Sequence, residues 1–566
     1  MAKTDYSTLD KHTLVRLLQA RDRHAKLGLV WETEAFGAEK AINDDCVFLK
    51  PMPGLGSGEG PYRNLVIEGD NFDALRYLNL GYRGAVKCIY IDPPYNTGKK
   101  DFVYNDVFVD RDDAYKHSKW LEFMSRRLSL ARDLLREDGV IFVSIADHEV
   151  FHLGLLMNQV FGEANKVGVI VWNNVTDNNP TQIAQEHEYI LCYVKNQAIA
   201  ESVWKSSDLA VKQTLLAVEA EMLAKHKDPG QRQKAYTTWM KDNKPYMAPL
   251  DNYKYIDDGG IYAGSRSVHN PGKEGYRYDV IHPITGKPCT QPLMGYRFPE
   301  DTMKDLLCKE KILFGTDHTK LIELKTYLRD YKQKLPSVIE LDGRAGPNEL
   351  KELFPDNPKI FNNPKPSALI EELLSFVTRD DDLILDFFAG SGTTGHAVMK
   401  LNRNDKGRRR CILISSTEAT SKEPGKNLCR DVCAQRLKRS AKREGVTFPF
   451  SYLRTLRIPR EKVSLALEDE QIWIALQQMH TGDFLPPDGS DTLLMRERSS
   501  TQADLAFVTK IDTSTVAKLK RLAGKNRKGL VIYSRQPGLL KQRLSLENVS
   551  IEKIPDALVS RFGVTR

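Results

Sequence analysis

The stretch "LILDFFAGSGTTGHA", residues 383–397, decides how the second half of this sequence folds. An apolar run ends in Asp386, small residues and glycines follow, and a helical pattern begins after Gly392. Open α/β sheets bind small ligands with a strand, a glycine loop and a helix in this order, because the loop lets a ligand approach the backbone at the helix N-terminus. The alternative is a tight turn that needs glycine only for its backbone conformation.

This loop differs from two common phosphate-binding loops. No Gly-Lys-Ser/Thr follows it, which excludes a Walker loop, and its glycines do not have the G-x-G-x-x-G spacing of dinucleotide-binding folds. The stretch therefore predicts a small-ligand loop without a phosphate-binding lysine.

A second stretch, "KCIYIDPPYNTGKK" at 87–100, places an acid, two prolines and a tyrosine at the end of an apolar run. Asp92 can accept one hydrogen of an exocyclic NH2 group, and a carbonyl beside the prolines can accept the other. Tyr95 offers a stacking face. The stretch predicts a pocket that positions a planar amine, and the alternative is a proline-stiffened turn with a helix-capping acid.

Strand and helix patterns alternate on both sides of these stretches. The predicted strands are "NLVIEGD", "AVKCIYI", "GVIFVSI", "VGVIVWNN", "YILCYVKN" and "RRCILISS", and the helices between them include "NFDALRYL", "WLEFMSRRLSLARDLLRED" and "HEVFHLGLLMNQVFG". This alternation predicts an α/β fold with a parallel sheet and crossover helices. Short aromatic hairpins such as "YKYIDDGGIYAG" interrupt the pattern.

The predicted organisation is one α/β domain that is split by an insertion. We place a helical segment and linker at 1–62, a first α/β half at 63–198 and an inserted module at 199–358. A second α/β half follows at 359–450, and a small C-terminal domain at 451–566. The N-terminal helix is predicted from "LDKHTLVRLLQARDRHAKLG" and the linker from "PMPGLGSGEGP".

Composition is that of a globular protein of 566 residues with a net charge of +8. No run reaches the ~18 apolar residues of a membrane span, and eight cysteines without paired spacing predict reduced thiols in a cytosol-like compartment. Cys429 and Cys433 are spaced as neighbours on one helix face, so we predict no metal site. Positive charge is concentrated at 426–444. This segment is predicted to be either a solvated helix face or a contact for nucleic acid.

The motifs "DPPYNTG" at 92–98 and "DFFAGSGTTG" at 386–395 resemble those of the beta-class amino-methyltransferases of DNA, especially the modification subunits of type III restriction systems. "EGDNFDAL" at 68–75, "LREDGVIFVSIADHE" at 135–149 and "NNPKPSALI" at 362–370 fall in that family's order. The resemblance covers about residues 30–440 and is weaker in the tail.

The resemblance implies a Rossmann-like S-adenosylmethionine-dependent methyltransferase domain, circularly ordered so that the catalytic half precedes the cofactor half. Asp92, Pro93, Pro94 and Tyr95 would form the amine pocket, with Tyr95 stacked on a flipped adenine. The residues that would bind the cofactor are Asp70, Asn71, Lys365, Asp386, Phe388, Gly390, Gly392, Thr393 and Glu418.

The implied activity is methylation of adenine N6 in duplex DNA, because the motif begins with Asp, whereas cytosine-N4 members usually have Ser there. Cytosine-C5 methylation needs a Pro-Cys nucleophile, and the single Pro-Cys pair, Pro288-Cys289, falls in the inserted module. A cytosine-N4 or RNA amine methyltransferase and a non-catalytic DNA-binding specificity subunit remain as alternatives.

The inserted module would read the DNA sequence through Tyr and basic residues, of which we single out Tyr253, Arg266, Arg277, Arg297 and Lys311. For each of them the alternative is packing in a small β core. The implied partners are double-stranded DNA, a second copy of the chain and a separate restriction subunit with helicase and nuclease functions. We expect a cytoplasmic protein without membrane contact.

Overall fold

A computed structural model describes residues 45–98, 115–174, 182–206, 210–244, 247, 250–270, 272–418, 425–483, 485, 492–498, 502–525, 529–544 and 549–560, together with two short strands at 103–104 and 107–108. The predicted N-terminal helix lies outside these residues. The chain forms two compact units, one at 203–335 and the other made of the residues before and after it.

The strands range from two to eleven residues in length. In chain order they are β1 (Cys46–Pro51), β2 (Asn64–Glu68), β3 (Val86–Ile91), β4 (Val103–Tyr104), β5 (Val107–Phe108), β6 (Leu135–Ile145), β7 (Lys166–Asn173), β8 (His187–Val194), β9 (Lys205–Ser206), β10 (Tyr255–Asp257), β11 (Gly260–Ser267), β12 (Ile312–Leu313), β13 (Glu323–Tyr327), β14 (Gln333–Lys334), β15 (Val338–Glu340), β16 (Leu383–Asp386), β17 (Arg410–Ser415), β18 (Phe450–Ile458), β19 (Leu493–Arg496), β20 (Asp504–Val508), β21 (Leu530–Ser534) and β22 (Val549–Lys553).

The helices follow the same order. They are α1 (Asn71–Leu78), α2 (Lys116–Leu134), α3 (Val150–Phe161), α4 (Ala210–Lys225), α5 (Pro229–Asn243), α6 (Glu300–Cys308), α7 (Ala345–Leu353), α8 (Ser367–Val377), α9 (Thr393–Asp405), α10 (Gln435–Glu444), α11 (Val463–Ala466), α12 (Asp469–Thr481), α13 (Thr513–Lys525), α14 (Pro537–Arg543) and α15 (Asp556–Val559). A π-helical turn, Cys429–Ala434, leads directly into α10.

The larger unit is built on a ten-stranded sheet in the order β1-β18-β2-β17-β16-β3-β6-β8-β7-β15. Its centre, from β18 to β6, is parallel, as the strand-helix alternation predicts. All residues of β3 and β16 are buried, because helices cover both faces of a parallel sheet. β8 is antiparallel to β6 and β7, so the sheet is mixed where the sequence predicted it parallel throughout. No helical pattern separates β7 from β8 in the sequence, and parallel neighbours would need such a crossover.

The order of the central strands confirms the circular order of the two halves. β16 and β17 come late in the chain but lie between β2 and β3. Because these four strands are parallel, their carboxyl ends lie at the same edge of the sheet. The glycine loop after β16 and the Asp-Pro-Pro-Tyr segment after β3 therefore meet at this edge.

The unit at 203–335 contains the predicted aromatic hairpins. β10 and β11 pair in register from Tyr255–Tyr262 to Asp257–Gly260, and the sheet continues as β10-β11-β13-β12. Helices α4 and α5 share a core with these strands. This unit ends at Leu335, whereas the predicted module extends to 358, because β15 joins the large sheet beside β7.

The tail adds a second small sheet, β19-β20-β21-β22. The segment predicted as a C-terminal domain from 451 onwards nevertheless begins inside β18, a strand of the large sheet. Helix α12 carries the buried Trp473 into a core that is continuous from β1 to β20. No described helix is long and apolar enough to cross a membrane.

Candidate active site

Two neighbouring parallel strands bring the two predicted motifs together. Ile384 of β16 lies beside Cys88 of β3, and Leu385 lies beside Ile89. Asp386, the last residue of β16, and Asp92, which directly follows β3, therefore lie at the same edge of the sheet. The charge of Asp92 is close enough to contribute to the raised pKa of Asp386.

The two carboxylate oxygens of Asp92 differ in their partners among the described residues. Its Oδ2 lies 3.0 Å from Nζ of Lys365. Its Oδ1 is buried and has no hydrogen-bond partner among the residues that the structure describes. An unsatisfied buried acceptor is costly, so Oδ1 is suited to a donor that arrives with a ligand.

Lys365, which the resemblance assigns to the cofactor, lies beside Asp92 and Tyr95, two residues of the predicted amine pocket. Its Nζ lies 3.2 Å from Glu188 Oε2 and 4.9 Å from the centre of the Tyr95 ring. Burial acts to lower the pKa of Lys365, but the carboxylates of Asp92 and Glu188 outweigh it and raise the pKa above its usual value. Lys365 is therefore a buried cation between two acids.

Glu188, the second residue of β8, positions Tyr95. The Tyr95 hydroxyl donates to Glu188 Oε2 over 2.7 Å, and Asn174 Nδ2 donates to Glu188 Oε1 over 3.0 Å. Burial raises the pKa of Tyr95 well above its usual value, so the hydroxyl stays protonated as a donor. The sequence reasoning missed Glu188. Its only local signal is an acid near the start of an otherwise apolar strand.

The two prolines differ in what their carbonyls do. The buried Trp120 of α2 donates its Nε1 hydrogen to the Pro94 carbonyl over 2.7 Å. No such donor to the Pro93 carbonyl is seen in the described part of the chain. Of the two carbonyls, that of Pro93 is therefore the one left to accept from a ligand beside Asp92. Trp120, which the sequence reasoning did not single out, stiffens this segment.

Asp386 shapes the glycine loop. Its Oδ1 accepts from the Phe388 backbone N–H over 2.9 Å, and its Oδ2 accepts from the Thr394 hydroxyl over 2.5 Å. Burial raises the pKa of Asp386 to about 7. Both oxygens are thus used within the loop and its helix, and the carboxylate closes the turn from β16 into α9.

The two predicted glycines are required by the backbone. Gly390 and Gly392 have φ of +49° and +82°, in the left-handed region that other residues rarely adopt. A Cβ at Gly392 would lie 3.0 Å from Cys433 Sγ, and one at Gly390 would lie 3.2 Å from the Phe361 ring.

A buried arginine holds the far side of the loop. Arg436 donates to Ser391 Oγ over 2.9 Å, to Thr393 Oγ1 over 2.7 Å and to Glu349 Oε2 over 2.8 Å. Thr393, assigned to the cofactor by resemblance, is thus bonded to Arg436. Arg436 belongs to the basic segment 426–444, yet it is fully buried, so this part of the segment faces the protein interior. Lys400 also donates to Glu349 over 2.9 Å.

Glu349, which pairs with Arg436 and Lys400, is strongly stabilised in its charged carboxylate form. Burial acts to raise the pKa of Glu349, but the charges of Arg436, His396 and Lys400 outweigh it and lower the pKa to about 2. The cluster therefore fixes the loop through charge in the interior.

The remaining predicted cofactor residues lie around the same edge. Asp70 caps α1 by accepting from the Phe72 backbone over 2.9 Å, and Arg127 lies 3.1 Å from its other oxygen. Asn71, the first residue of α1, donates to the Phe387 carbonyl over 2.9 Å and so joins the start of this helix to the glycine loop. Glu418, beyond β17, lies 2.9 Å from Lys426 and is partly exposed.

The predicted DNA-contacting residues lie in the unit at 203–335 and divide into two groups. Arg266, Arg277 and Arg297 are exposed, and Lys311 lies at the surface 2.9 Å from Asp330. Tyr253 is fully buried, with its ring against Tyr331 in the core of the unit. Tyr253 therefore has a packing role, and its selection as a DNA contact is not supported by its position.

An open, largely parallel sheet with a glycine loop and an unsatisfied acid at adjacent strand ends defines a ligand-binding α/β protein of the Rossmann-like class. The model of a family described as DNA methylase, which comprises N6- and N4-methyltransferases, matches residues 86–422. This match spans more than half of the chain and contains both motifs. The chain belongs to the N6/N4 DNA methylase family.

Individual relatives share a similar portion of the chain. The Type III restriction-modification enzyme EcoP15I Mod subunit of Escherichia coli is 49% identical over 409 residues, which cover 67% of this chain and 63% of the relative. The StyLTI Mod subunit of Salmonella typhimurium is 32% identical, over 67% of this chain and 57% of the relative. The Type II methyltransferase M.KpnI of Klebsiella pneumoniae is 29% identical, over 62% of this chain and 81% of the relative. The alignments thus span about three fifths of the Mod subunits.

Proposed function

We propose that this chain is a DNA methyltransferase that uses S-adenosylmethionine to methylate N6 of an adenine flipped out of duplex DNA. The observation that carries the proposal is the Asp92 carboxylate, with Oδ2 paired to Lys365 and Oδ1 buried without a donor. A neutral exocyclic amine is the donor that fits such an oxygen, because it brings hydrogens without adding charge beside Lys365.

The amine is bound by two acceptors. Asp92 Oδ1 accepts one hydrogen of the N6 amine, and the Pro93 carbonyl accepts the other, while the Tyr95 ring stacks on the base. Two accepted hydrogens direct the nitrogen lone pair away from the protein acceptors, which is a positioning effect. Glu188 holds Tyr95, and Lys365 balances the charges of Asp92 and Glu188.

The residues at the sheet edge fit S-adenosylmethionine. The cofactor supplies an electrophilic methyl group when it is bound. Gly390 and Phe388 would lie against its methionine portion, and Glu418 and Asp70 follow the two strands beyond the glycine loop, where a ribose and an adenine would bind.

We assign adenine rather than cytosine as the base because the motif begins with Asp92, as in the adenine-N6 members of the family. We further propose that the unit at 203–335 contacts duplex DNA through Arg266, Arg277 and Arg297. Guanidinium groups bind phosphates and base edges, and these three are exposed. The EcoP15I and StyLTI relatives are named as Mod subunits of type III restriction-modification enzymes. By that likeness we propose a cytoplasmic protein that forms a homodimer and works with a separate restriction subunit.

The test is incubation of the chain with methyl-labelled S-adenosylmethionine and unmethylated plasmid DNA, followed by nucleoside analysis. We expect label in N6-methyldeoxyadenosine. Label in N4-methyldeoxycytidine would show that the methylated base is cytosine rather than adenine. Label in RNA alone would contradict DNA as the substrate. Cofactor and DNA binding without any transfer would indicate a non-catalytic specificity protein.

A matched control separates the amine pocket from general damage. Lys553 is exposed at the end of β22 in the small tail sheet and pairs with Asp556 nearby in the chain. A Lys553→Ala variant is expected to retain the label incorporation that Asp92→Ala loses. If both variants lose it equally, Asp92 has no special role.

A further inference from the structure

Three side chains with metal-binding atoms meet behind the Asp-Pro-Pro-Tyr segment. They are His117 in α2, Glu149 just before α3 and His152 in α3, and one ligand atom from each lies within 4.8 Å of the others. The Glu149 side chain is fully buried, whereas those of His117 and His152 are 40% and 37% exposed. The two imidazole rings are stacked with their centres 4.5 Å apart. The buried Glu149 carboxylate thus lies next to two partly exposed imidazole rings.

The two histidines contact different oxygens of the acid. His117 Nδ1 lies 2.7 Å from Glu149 Oε1. His152 Nδ1 lies 3.0 Å from Glu149 Oε2, an ion-pair distance, and neither atom has another hydrogen-bond partner among the described residues. A cation bound between the Glu149 carboxylate and the two neutral imidazoles would be coordinated by lone pairs of all three side chains.

The donor set indicates which cation fits. Two imidazole nitrogens and one carboxylate form the His2Glu set of zinc sites that keep one position open for water. Ca²⁺ and Mg²⁺ prefer oxygen ligands alone, so two nitrogens disfavour them. The exposed edges of the imidazoles provide the entry path that a metal site needs.

We propose that His117, Glu149 and His152 form a binding site for a divalent transition metal of the zinc type. The site borders the amine pocket through Asn96, which directly follows Tyr95. Asn96 Nδ2 donates to Glu149 Oε1 over 2.6 Å and to the Lys116 carbonyl over 3.2 Å. A metal at this site would therefore join α2, α3 and the segment that carries Tyr95.

The experiment titrates the metal-free full-length chain with Zn²⁺ in competition with a chromophoric chelator. We expect one site per chain and a rise in Tm with Zn²⁺, because a ligand that binds the folded state stabilises it. Co²⁺ substitution is expected to give d–d absorption without the thiolate charge-transfer band that cysteine ligands produce. A thiolate band would assign the metal to cysteines and overturn the proposal, as would the absence of saturable binding.

Variants locate the site. His152→Ala is expected to weaken Zn²⁺ binding by about 100-fold or more, because even outer partners of metal ligands contribute about 10- to 100-fold. His148→Ala is the matched control. His148 is exposed, directly precedes Glu149 in the chain and lies outside the cluster. His117→Asn tests the second imidazole should His152→Ala fail to fold. Unchanged Zn²⁺ affinity in the histidine variants would overturn the proposal.

Metal binding is measured without methyl transfer, so its outcome is independent of the proposed function. Binding by a chain that transfers no methyl group would leave the metal site in place and contradict only the methyltransferase. An effect of Zn²⁺ on the rate of transfer, if measured, would rest on both proposals.

Discussion

Two adjacent parallel strands of this protein each end in an aspartate, and the two carboxylates are used differently. Both carboxylate oxygens of Asp386, at the end of β16, accept hydrogen bonds within its own loop and helix. The donors are the Phe388 backbone N–H and the Thr394 hydroxyl. Asp92 after β3 pairs one oxygen with Lys365 and leaves the other buried and unsatisfied. The difference between the two aspartates shows that a position at the edge of the sheet does not by itself make a carboxylate a ligand-binding group. What matters is whether the surrounding chain already satisfies its oxygens.

Replacing Asp92 is the most direct test of the proposed difference in role between Asp92 and Asp386. Asp92→Ala is expected to lower the rate of methyl transfer by about 10³-fold or more, because the amine loses its acceptor and its orientation. The S-adenosylmethionine Kd, measured by calorimetry, is expected to change by less than about twofold. An equal loss of cofactor affinity would show that Asp92 and Asp386 do not differ in role.

Protonation of Glu349 tests the charge cluster beneath the Asp386 loop. Its pKa is lowered from 4.5 to about 2 in the folded chain. A lowered pKa stabilises the fold above the unfolded value, so the stability that Glu349 contributes is fully present above pH 4.5 and is lost as pH falls towards 2. Urea unfolding of wild type and Glu349→Gln is expected to show a difference in stability that shrinks over this range. A difference independent of pH would contradict the assignment.

Lys365 tests the cost of the buried charges around Asp92. Lys365→Met leaves Asp92 and Glu188 as uncompensated acids, and we expect the free energy of unfolding to fall by about 3 kcal/mol. Glu188→Gln in the same chain is expected to restore part of this loss, since one of the two acids is then neutral. Strictly additive effects in the double-mutant cycle would show that Lys365 and Glu188 are not coupled.

Removing the charge of Asp386 tests its structural role. Asp386→Asn keeps one acceptor oxygen but replaces the other by an NH2 group, so the loop loses one hydrogen bond. We expect S-adenosylmethionine to bind about 10-fold more weakly, with kcat at saturating cofactor changed less than Kd. A larger loss in kcat than in affinity would place Asp386 with Asp92 in the amine pocket.

The smallest expected effect comes from the Tyr95 hydroxyl. Tyr95→Phe keeps the ring and removes one hydrogen bond to Glu188, a change of about 1 kcal/mol, so we expect less than a 10-fold loss of transfer. Tyr95→Ala also removes the stacking face and is expected to lose considerably more. Equal losses in the two variants would mean that the hydroxyl, and with it Glu188, matters more than the ring.

Much of this architecture could be predicted because its signals are local. Apolar runs predicted seven of the ten strands of the large sheet but not β1, β15 or β18, and Gly390 and Gly392 marked a turn that needs left-handed backbone conformations. The antiparallel β8 was not predicted, since strand direction depends on pairing between segments. Lys365, Glu188 and Arg436 lie far from their partners in the sequence, so no local pattern connected them.

The sequence by itself determined that a strand would deliver Asp92 beside two prolines and that a glycine loop would follow β16, because turn residues and apolar periodicity act over a few neighbouring residues. Only the tertiary structure decided how the two aspartates differ. It brought Lys365 to Asp92 and Thr394 to Asp386, and it left one buried oxygen of Asp92 without a donor among the described residues. Whether a carboxylate oxygen is satisfied depends on partners that folding alone brings within about 3 Å.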